Sequence, residues 1–183
     1  LKTYTESLDM FTVSLMDKTV HMLEQLATED ILEQSDVVTN VMGCVSNLVN
    51  VNVKTLQESE TENAASSRLL SVIDSVSYKA PIFGNQLMVP TLNIAIAAQK
   101  VDSGDTQNLT LVADTDSEQQ KDKLVNIDLS TGNMPSFEEN NKTSLMIPME
   151  ALLESLTAEE KNNLTRISFI VHRSDILFAT IKN

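Results

Sequence analysis

From Leu1 to about Ala80 apolar residues recur at the helical step. Leu8, Phe11, Leu15, Met22, Leu23 and Leu26 mark one long amphipathic helix. Thr28 to Gln34 is polar and reads as a break. Ser35-Asp36 then caps a second helix, whose apolar face is Val38, Val41, Met42, Val45, Leu48 and Val49. Gly43 inside it is a close helix contact or a tolerated cost of about 1 kcal/mol. Asn50 to Asn52 is a weak break, and Thr55 with Glu58 and Ser59 with Glu62 match the capping-box spacing. A third helix carries Leu69, Leu70, Val72, Ile73 and Val76. Helices of this kind bury their stripes against each other or against a neighbour.

Ala80-Pro81 ends the helical part, because a residue before proline disfavours the helical region. From there the period becomes two. Leu87, Val89, Leu92, Ile94 and Ile96 alternate around Pro90, Leu109, Leu111 and Ala113 alternate, and Leu124, Ile127 and Leu129 do so loosely. Asp102 to Asp105 reads as a hairpin turn, and 114–123 and 130–141 read as loops. Lys142 to Lys182 reads as strand, helix, strand, turn, strand. Leu145 and Ile147 lie in the first strand, Leu152, Leu153 and Leu156 on one helix face, and Ile167, Phe169 and Val171 on one side of the second strand. Ser174-Asp175 is the turn, and Ile176, Leu177 and Phe178 open a last strand. Helices first and strands second predict an α+β fold, with a helical part at 1–83 and a β-rich part at 84–183. Ile94, Leu145, Phe169 and Val171 are expected in the core of the β part.

The apolar fraction of 42% supports a real core in 183 residues, and no apolar run is long enough to span a membrane. A net charge of −13 argues against nucleic acid, which is bound by clustered Lys and Arg. The single cysteine, Cys44, sits near Val41 and Val45 with no basic neighbour, and reads as a small buried apolar residue. His21 and His172 read as a helix-edge residue and an exposed strand residue. With one cysteine they match no zinc spacing. Asp114 to Glu118 lacks the glycine and distal Glu of an EF-hand, so a loose surface calcium site is the weaker reading there. Glu138-Glu139 and Glu159-Glu160 read as solvated, and Met10, Met16, Met22 and Met42 as core filler. No phosphate loop, dinucleotide fingerprint or nucleophile elbow is present, so no catalytic residue, cofactor or metal is expected. Three sequons, at Asn108, Asn141 and Asn163, fall near predicted turns or element ends, where a glycan is tolerated. The chain opens inside a helical pattern and closes inside a strand pattern, the expectation for a piece cut from something longer.

Two segments go further. Ser144-Leu-Met-Ile-Pro-Met-Glu-Ala-Leu-Leu-Glu-Ser-Leu156 and Arg166-Ile-Ser-Phe-Ile-Val-His-Arg-Ser-Asp-Ile-Leu-Phe178 resemble the GAIN domain of adhesion G-protein-coupled receptors. That domain has a strand ending near proline, a short Leu-Leu helix and an R-V-S-F strand. Pro90 to Ile96 resembles its first β-segment, and the helices ending in Leu69 to Val76 resemble its helical subdomain A. The likeness covers about residues 15–180. It implies a helical bundle followed by an incomplete antiparallel β-sandwich. It further implies an extracellular juxtamembrane region of a membrane receptor, whose partners are its own downstream tethered-agonist strand, the transmembrane region and an extracellular protein ligand. The family's paired cysteines, tryptophans and His-Leu-Thr or His-Leu-Ser cleavage motif are absent here, so no catalytic residue carries over. Two rival readings are a self-cleaving domain in the full protein, and an unrelated α+β binding module.

Overall fold

In the computed structural model, residues 11–102, 104, 107–114, 123–132 and 142–181 are described. The first helix, α1 (Val13–Leu26), starts where the Thr12 side chain accepts a hydrogen bond from the Leu15 amide. It buries Met16, Thr19, Val20 and Leu23. Met22 points outward at 51% exposure, so only Met16 and Met42 of the methionines expected in the core are found buried there. Leu8 and Met10 lie outside the described residues. The expected break at 28–34 holds a single helical turn, α2 (Glu29–Leu32), which buries Leu32. The second long helix, α3 (Ser35–Leu48), begins with Ser35 already helical and Gln34 as N-cap, so Ser35-Asp36 does not cap it. Every residue of its expected apolar face is buried.

The third helical stretch is two helices, α4 (Val53–Asn63) and α5 (Ala65–Lys79). The capping boxes expected at Thr55 and Ser59 lie inside α4, which starts instead at Asn52, whose side chain accepts from the Lys54 amide. The joint is Ala64, held in the left-handed region at φ 52°. Alanine has no side chain with which to cap α5. Glu60 reaches forward instead, accepting from the Ser66 and Ser67 amides at 2.7 and 3.1 Å. Its carboxylate sits where the helix dipole favours negative charge. Left-handed backbone is costly for alanine and nearly free for glycine. Ala64→Gly is therefore expected to raise stability by about 0.5–1 kcal/mol. A chemical denaturation curve checks it, and a lower midpoint would mean that the turn is not strained.

Arg68 ties α5 to α1. Its guanidinium donates to both Glu24 oxygens at 2.7 Å and to Asp17 at 2.5 Å. The hydrogen bond from Arg68 holds the Glu24 carboxyl below its usual 4.5. A depressed folded pKa contributes stability that is full above the unfolded value and is lost as pH falls through the folded one. Acid titration is thus expected to lower the stability of the chain progressively as pH falls below about 4.5. In Arg68→Met that acid dependence should flatten, as followed by circular dichroism. An unchanged pH profile would remove the clamp from the account.

Among the described residues the strands form two three-stranded antiparallel sheets. In the first, β2 (Ile94–Lys100) lies between β1 (Gln86–Pro90) and β6 (Arg166–His172). In the second, β3 (Leu109–Asp114) lies between β4 (Asn126–Thr131) and β5 (Lys142–Ile147). The β2 and β3 strands belong to different sheets, so the hairpin expected at 102–105 is instead a crossing between sheets, with Ser103 and Asp105 outside the described residues. The acidic 114–118 loop and the Glu138-Glu139 pair lie, apart from Asp114, outside them too.

Alternation assigns the faces. Ile94 and Ile96 of β2, Val89 of β1 and Ile170 of β6 join the helical core. Ala97 and Phe169 turn the other way and meet Leu109, Leu111 and Leu129 of the second sheet. The order is therefore helices, first sheet, second sheet, with one apolar core on each side of β2. The β5 strand leads into α6 (Met149–Ser155), and α7 (Ala158–Asn163) follows. Met149, Leu152 and Leu164 from this crossing pack against the inter-sheet core. A full capping box, with Thr157 and Glu160 bonding each other's backbone amides, starts α7.

Two expectations fail in this region. Leu145 is 51% exposed, because β5 is an edge strand and nothing described lies beyond it. Ile176 to Phe178 is not a strand but the start of α8 (Ile176–Ile181). The Asp175 backbone carbonyl accepts from the Ala179 amide at 2.8 Å, which starts the helical turn. Leu177 and Thr180, three apart, then face the helical bundle.

Candidate functional site

The seam between the helices and the first sheet is closed by polar side chains. At one end, Asn93 follows from the β1–β2 turn, where Thr91 bonds the Ile94 carbonyl. The Asn93 amide donates to Ser46 Oγ at 2.9 Å, and its side chain donates to the Ser46 carbonyl at 2.8 Å. At the other end, Ser168 Oγ donates to the Ser77 carbonyl at 2.8 Å. Arg166 Nη1 donates to the carbonyls of Tyr78 and Ala80 at 2.5 and 2.8 Å. These are orphan carbonyls at the end of α5, which a cation satisfies well. Burial pushes the Arg166 pKa down from its ordinary value. Thr180 on α8 adds a buried bond to Ser66 Oγ at 2.7 Å.

Opposite the stacked β1 and β4 strands lie the other two edges of the sandwich, β6 and β5. Neither has a further strand beside it among the described residues. Apolar side chains stand exposed nearby, Leu145 and Met146 on β5 and Phe178 and Ile181 on α8. An unpaired edge presents amide and carbonyl groups ready to bind an extended segment. His172, at the end of β6, meets the Phe178 ring edge-on at 5.0 Å. It is half-buried rather than exposed as the sequence suggests, and burial pushes its pKa down.

The structure does not bring the candidate chemical residues together. His21 is on the exposed side of α1, Cys44 is buried in α3, and His172 is at the sheet. Among the described residues no cluster of His, Cys, Asp and Glu could hold a metal. No helix among them is long and apolar enough to cross a membrane. Of the sequons, Asn163 is exposed at the last residue of α7. Asn108 is half-buried beside β3, its carbonyl accepts from the Gly132 amide at 2.8 Å, and its sequon threonine, Thr110, is fully buried. Asn141 lies outside the described residues. The seam contacts escape sequence reading. Ser46 and Asn93 are unremarkable polar residues until the fold joins them.

No family model and no curated protein matches this chain. Among solved structures, the full extracellular region of zebrafish Gpr126/Adgrg6 has a similar fold, with a TM-score of 0.70 over 91% of this chain at 16% identity. This chain spans 20% of the length of that one. At this identity the likeness shows the fold, an α+β arrangement of helices and antiparallel sheets.

Proposed function

We propose that the chain is an extracellular juxtamembrane module of adhesion-receptor type, which holds a strand of its own protein and so gates G-protein signalling. The observation that carries this reading is the pair of open edges, β5 and β6, on one side of a sandwich whose fold matches a receptor's extracellular region. A strand laid along β6 would satisfy its free backbone groups and cover the exposed Leu145 and Phe178. In this role the helices serve as a rigid base. The seam bonds from Ser46, Ser77 and Tyr78 fix the first sheet against them. Its partners would be that strand, the membrane-spanning region and an extracellular protein ligand, with cell adhesion as part of the role. Asn163 and Asn108 would carry glycans, as would Asn141.

The reading assigns no chemistry to the chain itself. Acyl transfer needs an activated nucleophile, a base and oxyanion donors. Autoproteolysis would need a downstream His-Leu-Thr or His-Leu-Ser motif. The 183-residue chain made in a secretory host is expected to keep its full mass by mass spectrometry. Specific backbone scission, abolished by His172→Ala or His21→Ala, would assign it a catalytic site.

The test of the role uses cells expressing the complete gene product. Antibody against this region should stain them without permeabilisation, and deleting the region should change basal second-messenger output. Staining only after permeabilisation would support the unrelated binding module instead.

A further inference from the structure

A groove of about 370 Å³ opens where the end of α5, the end of β2 and the start of β6 meet. Lys79, Lys100 and Arg166 border it, together with one carboxylate, Asp102. The chain has 13 Lys and Arg against 26 Asp and Glu, so three cations at one groove run against its overall balance. None of the three forms an ion pair with a carboxylate among the described residues.

Two independent features set these cations apart. Lys100 and Arg166 are direct cross-strand partners, which places both side chains on the same face of the sheet. Like charges in that position repel and destabilise the pair. Second, Arg166 uses only Nη1 on the helix end, while Nε and Nη2 are shielded from water and bond to nothing among the described residues. Those two nitrogens form the guanidinium edge that takes two oxygens of an oxyanion in parallel. Buried charged donors left unmet are costly, and a bound anion removes both costs at once. Both lysines are exposed, so their flexible chains are free to turn toward a bound anion.

We propose that this groove binds a tetrahedral oxyanion of the sulfate class, either as the free ion or as a sulfate group borne on an oligosaccharide. Arg166 supplies the fixed fork, and Lys79 and Lys100 supply mobile ammonium groups. Three cations against Asp102 favour a strongly acidic group over a single carboxylate. The proposal does not rest on the signalling role, although Arg166 is also the first residue of the β6 edge.

The experiment follows the Arg166 Nε–H resonance of the 183-residue chain by NMR. Sodium sulfate and a sulfated disaccharide are titrated at ionic strength held constant with sodium chloride. Saturable shifts are expected, weakened about tenfold or more in Lys79→Gln/Lys100→Gln, which leaves the Arg166 bonds to α5 intact. Saturation by both probes assigns a glycan-borne group, and saturation by the ion alone assigns the free anion. Shifts that never saturate, or that are equal in the double variant, would mean a general salt effect and overturn the site. A fold check by circular dichroism accompanies the variant. Were it unfolded, Lys100→Gln alone would serve, with the same outcomes.

Discussion

Phe169→Ala is expected to destabilise the chain by about 3–5 kcal/mol. Phe169 is 7% exposed and sits between the sheets, opposite Ala97 on the neighbouring strand. Its ring fills space that the small side chains of β2 leave open, with Leu109, Leu111 and Leu129 across from it. Removing it takes away burial and leaves a cavity that paired strands cannot close, so transfer and cavity costs add. Leu145→Ala is the control, and an exposed leucine should lose less than about 0.5 kcal/mol. Urea denaturation of both variants checks this. Equal losses would mean that β5 is buried and the two edges are not open.

Ile96→Ala is expected to cost about 2–5 kcal/mol and to lower the unfolding of the helices together with the sheet. Ile96 is fully buried in the central strand, on the face that meets the helical bundle. It shares its core with Val41, Val45 and Val76, and the seam bonds of Asn93 and Ser168 flank it. Helices and sheet joined through such a core should melt in one transition. Far-ultraviolet circular dichroism for the helices and amide exchange for β2 would report it. A variant whose helices melt at the unchanged temperature would show that the two parts are stable separately.

The α+β class was legible because the hydrophobic period changes across Pro81. The apolar face of α3 was legible for the same reason: Val38, Val41, Met42, Val45 and Leu48 have a single buried direction available to them. Where residues satisfy two patterns, reading fails. Ile176, Leu177 and Phe178 are three apolar residues in a row, and only the packing of Leu177 and Thr180 on the bundle selects a helix. Leu145 alternates like a core residue, yet burial depends on a neighbour beyond the edge, which alternation does not encode. Thr55 and Glu58 have capping spacing, but the same spacing recurs within any helix, and Asn52 starts α4. The seam and the cationic groove were hidden for another reason. Ser46 with Asn93 and Lys100 with Arg166 are far apart in sequence, and their meaning comes from registration between elements.

The central claim is that the open side of the sandwich receives a strand of the same protein. Hydrogen–deuterium exchange tests it, by comparing the amides of residues 166–172 in the 183-residue chain and in the complete gene product. Outward-facing amides of β6 are expected to exchange quickly in the 183-residue chain and to become protected in the complete gene product. Equal exchange in both would contradict it.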